Sequence, residues 1–293
     1  VVKVGFVGLG VMGRPMAAHL AAAGHELAVW ARRPESAAGL AAQGVPVCAS
    51  PAELAARSEV VISIVTSSSD VAALAFGPQG LAEGFAPGSV HVDMSTIAAS
   101  AARDLATRYA RQKVGWVDAP VSGGERAATE ATLAIMAGGD AATLERVRPL
   151  LTALGHTLVH VGAAGAGQVA KACNQMVMVA AIQACAEAMH LARAHQIDLT
   201  ALRNALLGGS GSSRMLELMG GRMAARDFTN GIQARLHHKD FGLILAEAAA
   251  QGVPLPVAAQ VLQQLNALMG CGWGRDDTSS LLRVLERVGS EAG

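Results

Sequence analysis

The sequence predicts an α/β fold in two parts: a mostly parallel sheet interleaved with helices over residues 1–162, then an all-α domain over 163–293. Three observations carry this. Short β-branched runs alternate with Ala-rich helical stretches up to about residue 160. Strand signals stop at Gly165, and helical periodicity takes over. With 52% apolar residues in 293, the chain has material for two buried cores.

The first strand is expected within Val2–Val7, and the motif Gly8-Leu9-Gly10-Val11-Met12-Gly13 follows it directly and opens a helix. In that setting G-x-G-x-x-G reads as a dinucleotide cradle, and the domain as a Rossmann domain. The first glycine allows the tight turn, the second admits a pyrophosphate to the backbone, and the third lets helix pack on strand. The second strand, Glu26–Trp30, ends at Ala31-Arg32-Arg33, with no acid for the ribose hydroxyls. Arg32, with Arg33, suits a 2′-phosphate, so NADP(H) is favoured and NAD(H) is the alternative. Further strands are expected at Val60–Ile64 and Ser89–Asp93.

Asp118-Ala119-Pro120-Val121-Ser122-Gly123-Gly124 follows another strand; a hydroxyl beside two glycines offers a carboxylate cradle. A long helix then runs from near Gly165 to about His195, apolar on most faces, as expected of a helix shared between domains or with a second subunit. Further helices are expected at Leu199–Leu207, Arg214–Ala225, His238–Ala250, Val257–Met269 and Asp277–Val288.

Lys171 stands out because the chain has four lysines against nineteen arginines. An ammonium can release a proton near neutral pH where a guanidinium cannot, so lysine is the type acid/base chemistry needs. The competing reading is a surface lysine on an Ala-rich helix. Asn174 shares its helical face three residues on. Lys239-Asp240 reads equally as a surface ion pair or as part of a site.

Several function classes are excluded. Acidic and basic residues balance at 23 each with no basic stripe, so neither nucleic acid nor an anionic membrane is expected as a partner. The uncharged stretch Ala172–Ala186 falls short of the roughly 20 residues of a membrane span and reads as a buried helix. No h-region with a cleavage site opens the chain, so a cytoplasmic protein is the default. Cys48, Cys173, Cys185 and Cys271 lack metal or disulfide spacing and read as reduced, mostly buried small hydrophobes. His156 and His160 find no third ligand, so no metal site is expected.

Taken in order, Phe6–Gly13, Asp93–Thr96, Asp118–Gly124, Thr132–Met136, Gly165–Gln175 and Lys239-Asp240 resemble the β-hydroxyacid dehydrogenase family along the whole chain. The resemblance implies a Rossmann domain followed by a helical domain that completes the active-site cleft and forms the oligomer interface, in a homodimer or homotetramer. It implies Lys171 as catalytic acid/base, Ser122, Gly123 and Gly124 on a small carboxylic-acid substrate, and Asn174 orienting that substrate. Gly8, Leu9, Gly10, Val11, Met12, Gly13, Val65, Thr66, Thr96 and Lys239 would border the cofactor, and Thr96 would also reach the substrate.

Lys171–Gln175, Leu236–Asp240 and Gly272–Asp277 look most like the tartronate semialdehyde reductase branch, which points to 2-hydroxy-3-oxopropionate and glycerate. The alternatives are a 3-hydroxyisobutyrate dehydrogenase or a serine- or threonate-type relative, and, in a different class, a catalytically silent dinucleotide-binding interaction module. Gln175, in place of the second Asn of the 3-hydroxyisobutyrate pattern, points away from that substrate. His19 stands where the family usually has Asn, and Thr66 where Pro is common.

Overall fold

Eight strands form one sheet in a computed structural model that describes residues 1–229 and 231–290. The chain divides into two units, Val1–Lys171 and Ala172–Gly293.

The first unit opens with β1 (Lys3–Val7), α1 (Gly13–Ala22) and β2 (Glu26–Trp30). Short helices α2 (Ala38–Ala41) and α3 (Pro51–Ala56) lead to β3 (Val60–Ser63), α4 (Ser68–Phe76), α5 (Leu81–Gly84), β4 (Val90–Asp93), α6 (Ala99–Ala110) and β5 (Gly115–Asp118). Then come β6 (Val121–Ser122), α7 (Gly124–Thr129), β7 (Ala134–Gly139), α8 (Ala141–Thr152) and β8 (Thr157–Gly162). The strand order is β2-β1-β3-β4-β5-β7-β6, with β8 on the other side of β7. Strands β1 to β5 pair in parallel, whereas β7 runs antiparallel to β5 and β6.

Both sheet faces are covered, which is why every residue of the central strands β3 and β4 is buried, the polar Ser63, His91 and Asp93 included. Val4, Phe6, Ile62, Val92 and Val117 point to one face, into a core with Met16, Leu20, Leu144 and Leu150 from α1 and α8. Val7 and Val61 point to the other, against Leu54 and Leu74 of α3 and α4. Ser50, Ser67 and Asp140 cap α3, α4 and α8 through side-chain oxygens. His19 on α1 hydrogen-bonds the Thr129 carbonyl at the end of α7 (2.9 Å), so this departure from the family pattern ties two helices together.

Helix α9 (Ala166–Ala194) leaves the first unit at Lys171 and continues into the second. It is the one helix among the described residues long and apolar enough to cross a membrane by length and composition. Within the second unit it buries Val179, Ile182, Ala186 and Met189 in a protein core. There α10 (Leu199–Leu207), α11 (Gly221–Ala225), α12 (Ala234–Gln251), α13 (Pro256–Gly270) and α14 (Leu281–Ser290) follow, and Phe241, Leu265, Leu268 and Leu281 fill the same core.

Two expectations need correction. The stretch read as one helix over Arg214–Ala225 contains a π-helical turn, Leu216–Gly220, ending at the first of two adjacent glycines, where helix propensity is lowest. Only Cys48 and Cys185 are buried; Cys271 is half-buried and Cys173 exposed, although all four are free thiols. Cys173 follows the exposed Val169 by four residues on α9 and shares its face.

Candidate active site

A doubly wound sheet opens a crevice where the chain order reverses, outside the carboxyl ends of its strands. Here the reversal lies between β1 and β3, and Gly8–Gly13 is the loop leaving β1. Its three glycines meet different constraints. Gly8 has a φ of +98°, and a Cβ on it would fall onto the Ile64 carbonyl; one on Gly13 would fall onto the Gly8 carbonyl. Gly10 would meet nothing within 4 Å, so its lack of a side chain serves no internal packing and leaves open approach to its backbone. Helix α1 has neither a side-chain cap at Met12 nor an acid in its first turn. Its leading amides and positive dipole end thus suit an anion. Together these features fit a dinucleotide pyrophosphate.

The other residues expected in this unit collect along the same edge. Val65 and Thr66 follow β3, Thr96 follows β4, and Ser122 ends β6. The Val65 amide donates to Ser95 Oγ (2.8 Å), holding the β3 and β4 exits together. Gly123, with a φ of +129°, and Gly124 lead from Ser122 into α7, and Gly123 is exposed. Arg32 lies just past β2, 80% exposed, with Nη1 3.2 Å from Asp70 Oδ1. Thus an acid does stand beside Arg32, supplied by the first turn of α4 rather than by β2, where sequence inspection looked for it.

Lys171 is buried, at 7% exposure, which removes the surface-lysine reading. The start of its helix is fastened to the same sheet edge. Asp118 accepts from the Gly165 amide (2.7 Å) and the Gln168 amide (3.1 Å), and the Gln168 side chain donates to the Ser95 carbonyl (2.9 Å). Burial pushes the Asp118 carboxyl up to about 6, although the two amides pull it down.

Beneath this edge lies a buried polar chain that sequence reading did not anticipate. Tyr109 Oη lies 3.0 Å from His91 Nδ1, His91 Nε2 2.8 Å from Ser63 Oγ, and Ser63 donates to Asp93 Oδ1 (2.7 Å). Ser95 Oγ donates to the same oxygen (2.7 Å). Every hydroxyl is satisfied if Tyr109 donates to a neutral His91 that donates onward to Ser63. Burial lowers the His91 pKa to about 3, consistent with that neutral form.

Asn174 and Lys239 lie in the second unit. There Asn174 donates to Gln175 Oε1 (3.0 Å), Gln175 donates to Asp240 Oδ2 (2.7 Å), and Lys239 Nζ lies 3.2 Å from Asp240 Oδ1. Gln175 is buried and joins Asn174 to the Lys239–Asp240 pair, a function for this residue that spacing along the sequence could not reveal.

Residues 3–162 match the NAD binding domain of 6-phosphogluconate dehydrogenase, and residues 165–285 match the NAD-binding domain of NADP-dependent 3-hydroxyisobutyrate dehydrogenase. The 2-hydroxy-3-oxopropionate reductase of Escherichia coli K12 is 38% identical over 97% of both chains. The chain belongs to the 3-hydroxyisobutyrate dehydrogenase-like family. The NAD-dependent L-serine dehydrogenase of Pseudomonas aeruginosa is 34% identical, covering 97% of this chain and 98% of the relative. Among solved structures, the 3-hydroxyisobutyrate dehydrogenase of Mycobacterium tuberculosis with L-serine superposes with a TM-score of 0.90 at 34% identity, covering 97% of this chain and 99% of that one. As a member of the 3-hydroxyisobutyrate dehydrogenase-like family, the chain is a nicotinamide-dinucleotide-dependent oxidoreductase acting on the CH–OH group of a small hydroxyacid.

Proposed function

We propose that the chain interconverts 2-hydroxy-3-oxopropionate and glycerate with NADP(H) as the favoured cofactor. The observation that carries the chemistry is Lys171, a buried ammonium in the second turn of a helix fastened to the sheet edge where the glycine loop and Ser122 also end. The 38% identity to a 2-hydroxy-3-oxopropionate reductase supports the substrate, as does the run Lys171–Gln175.

A bound nicotinamide dinucleotide supplies or accepts the hydride. Ser122, with the backbone at Gly123 and Gly124, holds the substrate carboxylate. Lys171 gives its proton to the aldehyde oxygen in reduction, yielding the primary alcohol, and takes it back from the hydroxyl in oxidation. Asn174, three residues beyond Lys171, and Thr96 orient the substrate. Gly8 to Gly13 receive the pyrophosphate and Arg32 the 2′-phosphate, while the places of Val65, Thr66 and Lys239 beside the cofactor rest on the family resemblance.

In this proposal residues 1–162 bind the nucleotide, and residues 163–293 complete the active site and carry a homodimer or homotetramer interface. Support for the interface comes from exposed apolar side chains on α9 and α13, Val177 at 74%, Leu191 and Val257. Four free thiols suit a reducing, cytoplasmic compartment.

The test is a panel of small hydroxyacids and semialdehydes, each assayed with NADPH and NADH by nicotinamide absorbance. The highest kcat/KM is expected for 2-hydroxy-3-oxopropionate with NADPH. A higher value for L-serine or 3-hydroxyisobutyrate would replace the substrate, and turnover of none would favour a silent nucleotide-binding module.

A further inference from the structure

Helix α9 starts differently from the helices capped by the residue just before them. Asp118, its capping carboxylate, comes from the end of β5, far away in sequence, and has no exposed surface. Both oxygens are used: Oδ1 takes the Gly165 amide and Oδ2 the Gln168 amide. An ionised carboxylate can accept at both oxygens, whereas an Asn would turn an NH₂ toward one of the amides.

Gln168 adds an anchor in another direction. Its side chain, 3% exposed, bridges the backbone beyond β4, donating to the Ser95 carbonyl and accepting from the Ile97 amide at 3.0 Å. Gly167 lies between these anchors. A Cβ there would sit 2.5 Å from the carbonyl oxygens of Asp118 at the end of β5 and Met136 within β7, so the helix backbone rests directly on these two strands. One anchor would leave a helix free to roll about its axis. Anchors on the exits of β4 and β5, with a backbone contact between them, hold both rotation and rise.

We propose that Asp118 and Gln168 are positioning residues for the reaction, fixing the rotation and rise of α9 so that Lys171, one turn after Gln168, presents its ammonium at the sheet's carboxyl edge. The proposal rests on Lys171 being the acid/base. A helix advances about 1.5 Å and turns about 100° per residue, so a small slip or roll at Gln168 carries directly to Lys171. A misplacement of about 1 Å costs on the order of a hundredfold in rate. Neither residue touches substrate in this account; both act through the ammonium they place.

The test compares Asp118→Asn, Asp118→Ala, Gln168→Met and Lys171→Ala, with kcat expressed per folded subunit and nucleotide affinity measured separately by titration. Gln168→Met keeps length and helix propensity while removing both backbone bonds. Asp118→Asn and Gln168→Met are expected to lower kcat about tenfold or more, with KM and nucleotide affinity changed less than about threefold. Asp118→Ala should lose more than Asp118→Asn, since Asn keeps one acceptor. A purely structural role would lower the melting temperature and leave kcat per folded subunit at the wild-type value, which overturns the proposal. If Asp118→Ala fails to fold, the Asn and Met variants decide by the same criterion. Lys171→Ala separates the two layers. If it is inactive while Asp118→Asn and Gln168→Met turn over normally, the positioning inference fails and the acid/base reading stands; if Lys171→Ala keeps turnover, the acid/base reading fails and the inference falls with it.

Discussion

Arg32 Nη1 lies 3.2 Å from Asp70 Oδ1, and Asp70 in turn accepts from Ser67 Oγ at 2.6 Å, so the guanidinium proposed to receive a 2′-phosphate is held by a carboxylate from the first turn of α4. A phosphate arriving there must compete with Asp70 for Arg32. Exposed pairs of this kind contribute about 0–1 kcal/mol, well below the ~1–3 kcal/mol of a charge-assisted phosphate contact, so the phosphate should win.

Arg32→Ala is therefore expected to weaken NADPH by ~1–3 kcal/mol with little change for NADH, and Asp70→Asn to tighten NADPH by up to about fivefold. Fluorescence titration with each cofactor checks both. Equal losses for the two cofactors in Arg32→Ala would remove the phosphate contact.

Lys171→Arg should be almost as inactive as Lys171→Ala, although it keeps the positive charge. A guanidinium stays protonated at working pH and cannot exchange the proton. Turnover is measured alongside cofactor titration, which should remain close to wild type because the glycine loop is untouched. Near-normal turnover in Lys171→Arg would show that only charge is required.

Ser122→Ala should raise KM for acid substrates about five- to tenfold with a smaller effect on kcat, the pattern for loss of a charge-assisted bond made equally in ground and transition states. Ester analogues should react poorly with the wild type and be nearly indifferent to the mutation. Equal kcat/KM for acid and ester would take the cradle out of the mechanism.

His91 and Asp118 give opposite pH dependences of stability. The folded pKa of His91 is lowered to about 3 from 6.5, so the unfolded chain takes up its proton first and stability falls as pH drops below 6.5. Asp118 is raised to about 6 from 3.8, so the folded chain takes up its proton first and stability rises as pH drops from 6 to 4. The two slopes, each about 1.4 kcal/mol per pH unit, offset one another in the wild type over that window. Relative to wild type, His91→Gln should therefore gain stability from pH 6 to 4 and Asp118→Asn should lose it. Urea unfolding at pH 4, 5 and 6 measures this, and parallel curves for all three proteins would refute both shifts.

Much of the fold was legible because it depends on local pattern. Glu26–Trp30 and Leu199–Leu207 form the elements their alternation and periodicity suggest, and Gly8 to Gly13 form the turn between strand and helix that their spacing requires. Part of the candidate site could be proposed from local pattern too: Lys171 is conspicuous as one of four lysines, and Ser122 stands beside two glycines. Asp70 was not, because nothing near it in sequence reveals that α4 delivers it to Arg32. Asp118 was visible within its motif but not its task, since its partners lie 47 and 50 residues away.

The sequence alone determined the order of strands and helices, the dinucleotide loop and the scarcity of lysine that singles out Lys171, all properties written within a few turns of chain. Tertiary structure alone decided that Lys171 is buried, that Arg32 is paired with an acid, and that His91, Ser63 and Asp93 form one buried chain with Tyr109. The physical reason is that burial and hydrogen-bond partnership are relations among segments brought together by the sheet. The Asp118 carboxylate at the end of β5 can reach the first amides of α9 only after β7, antiparallel to β5 and parallel to β8, has brought the two segments together.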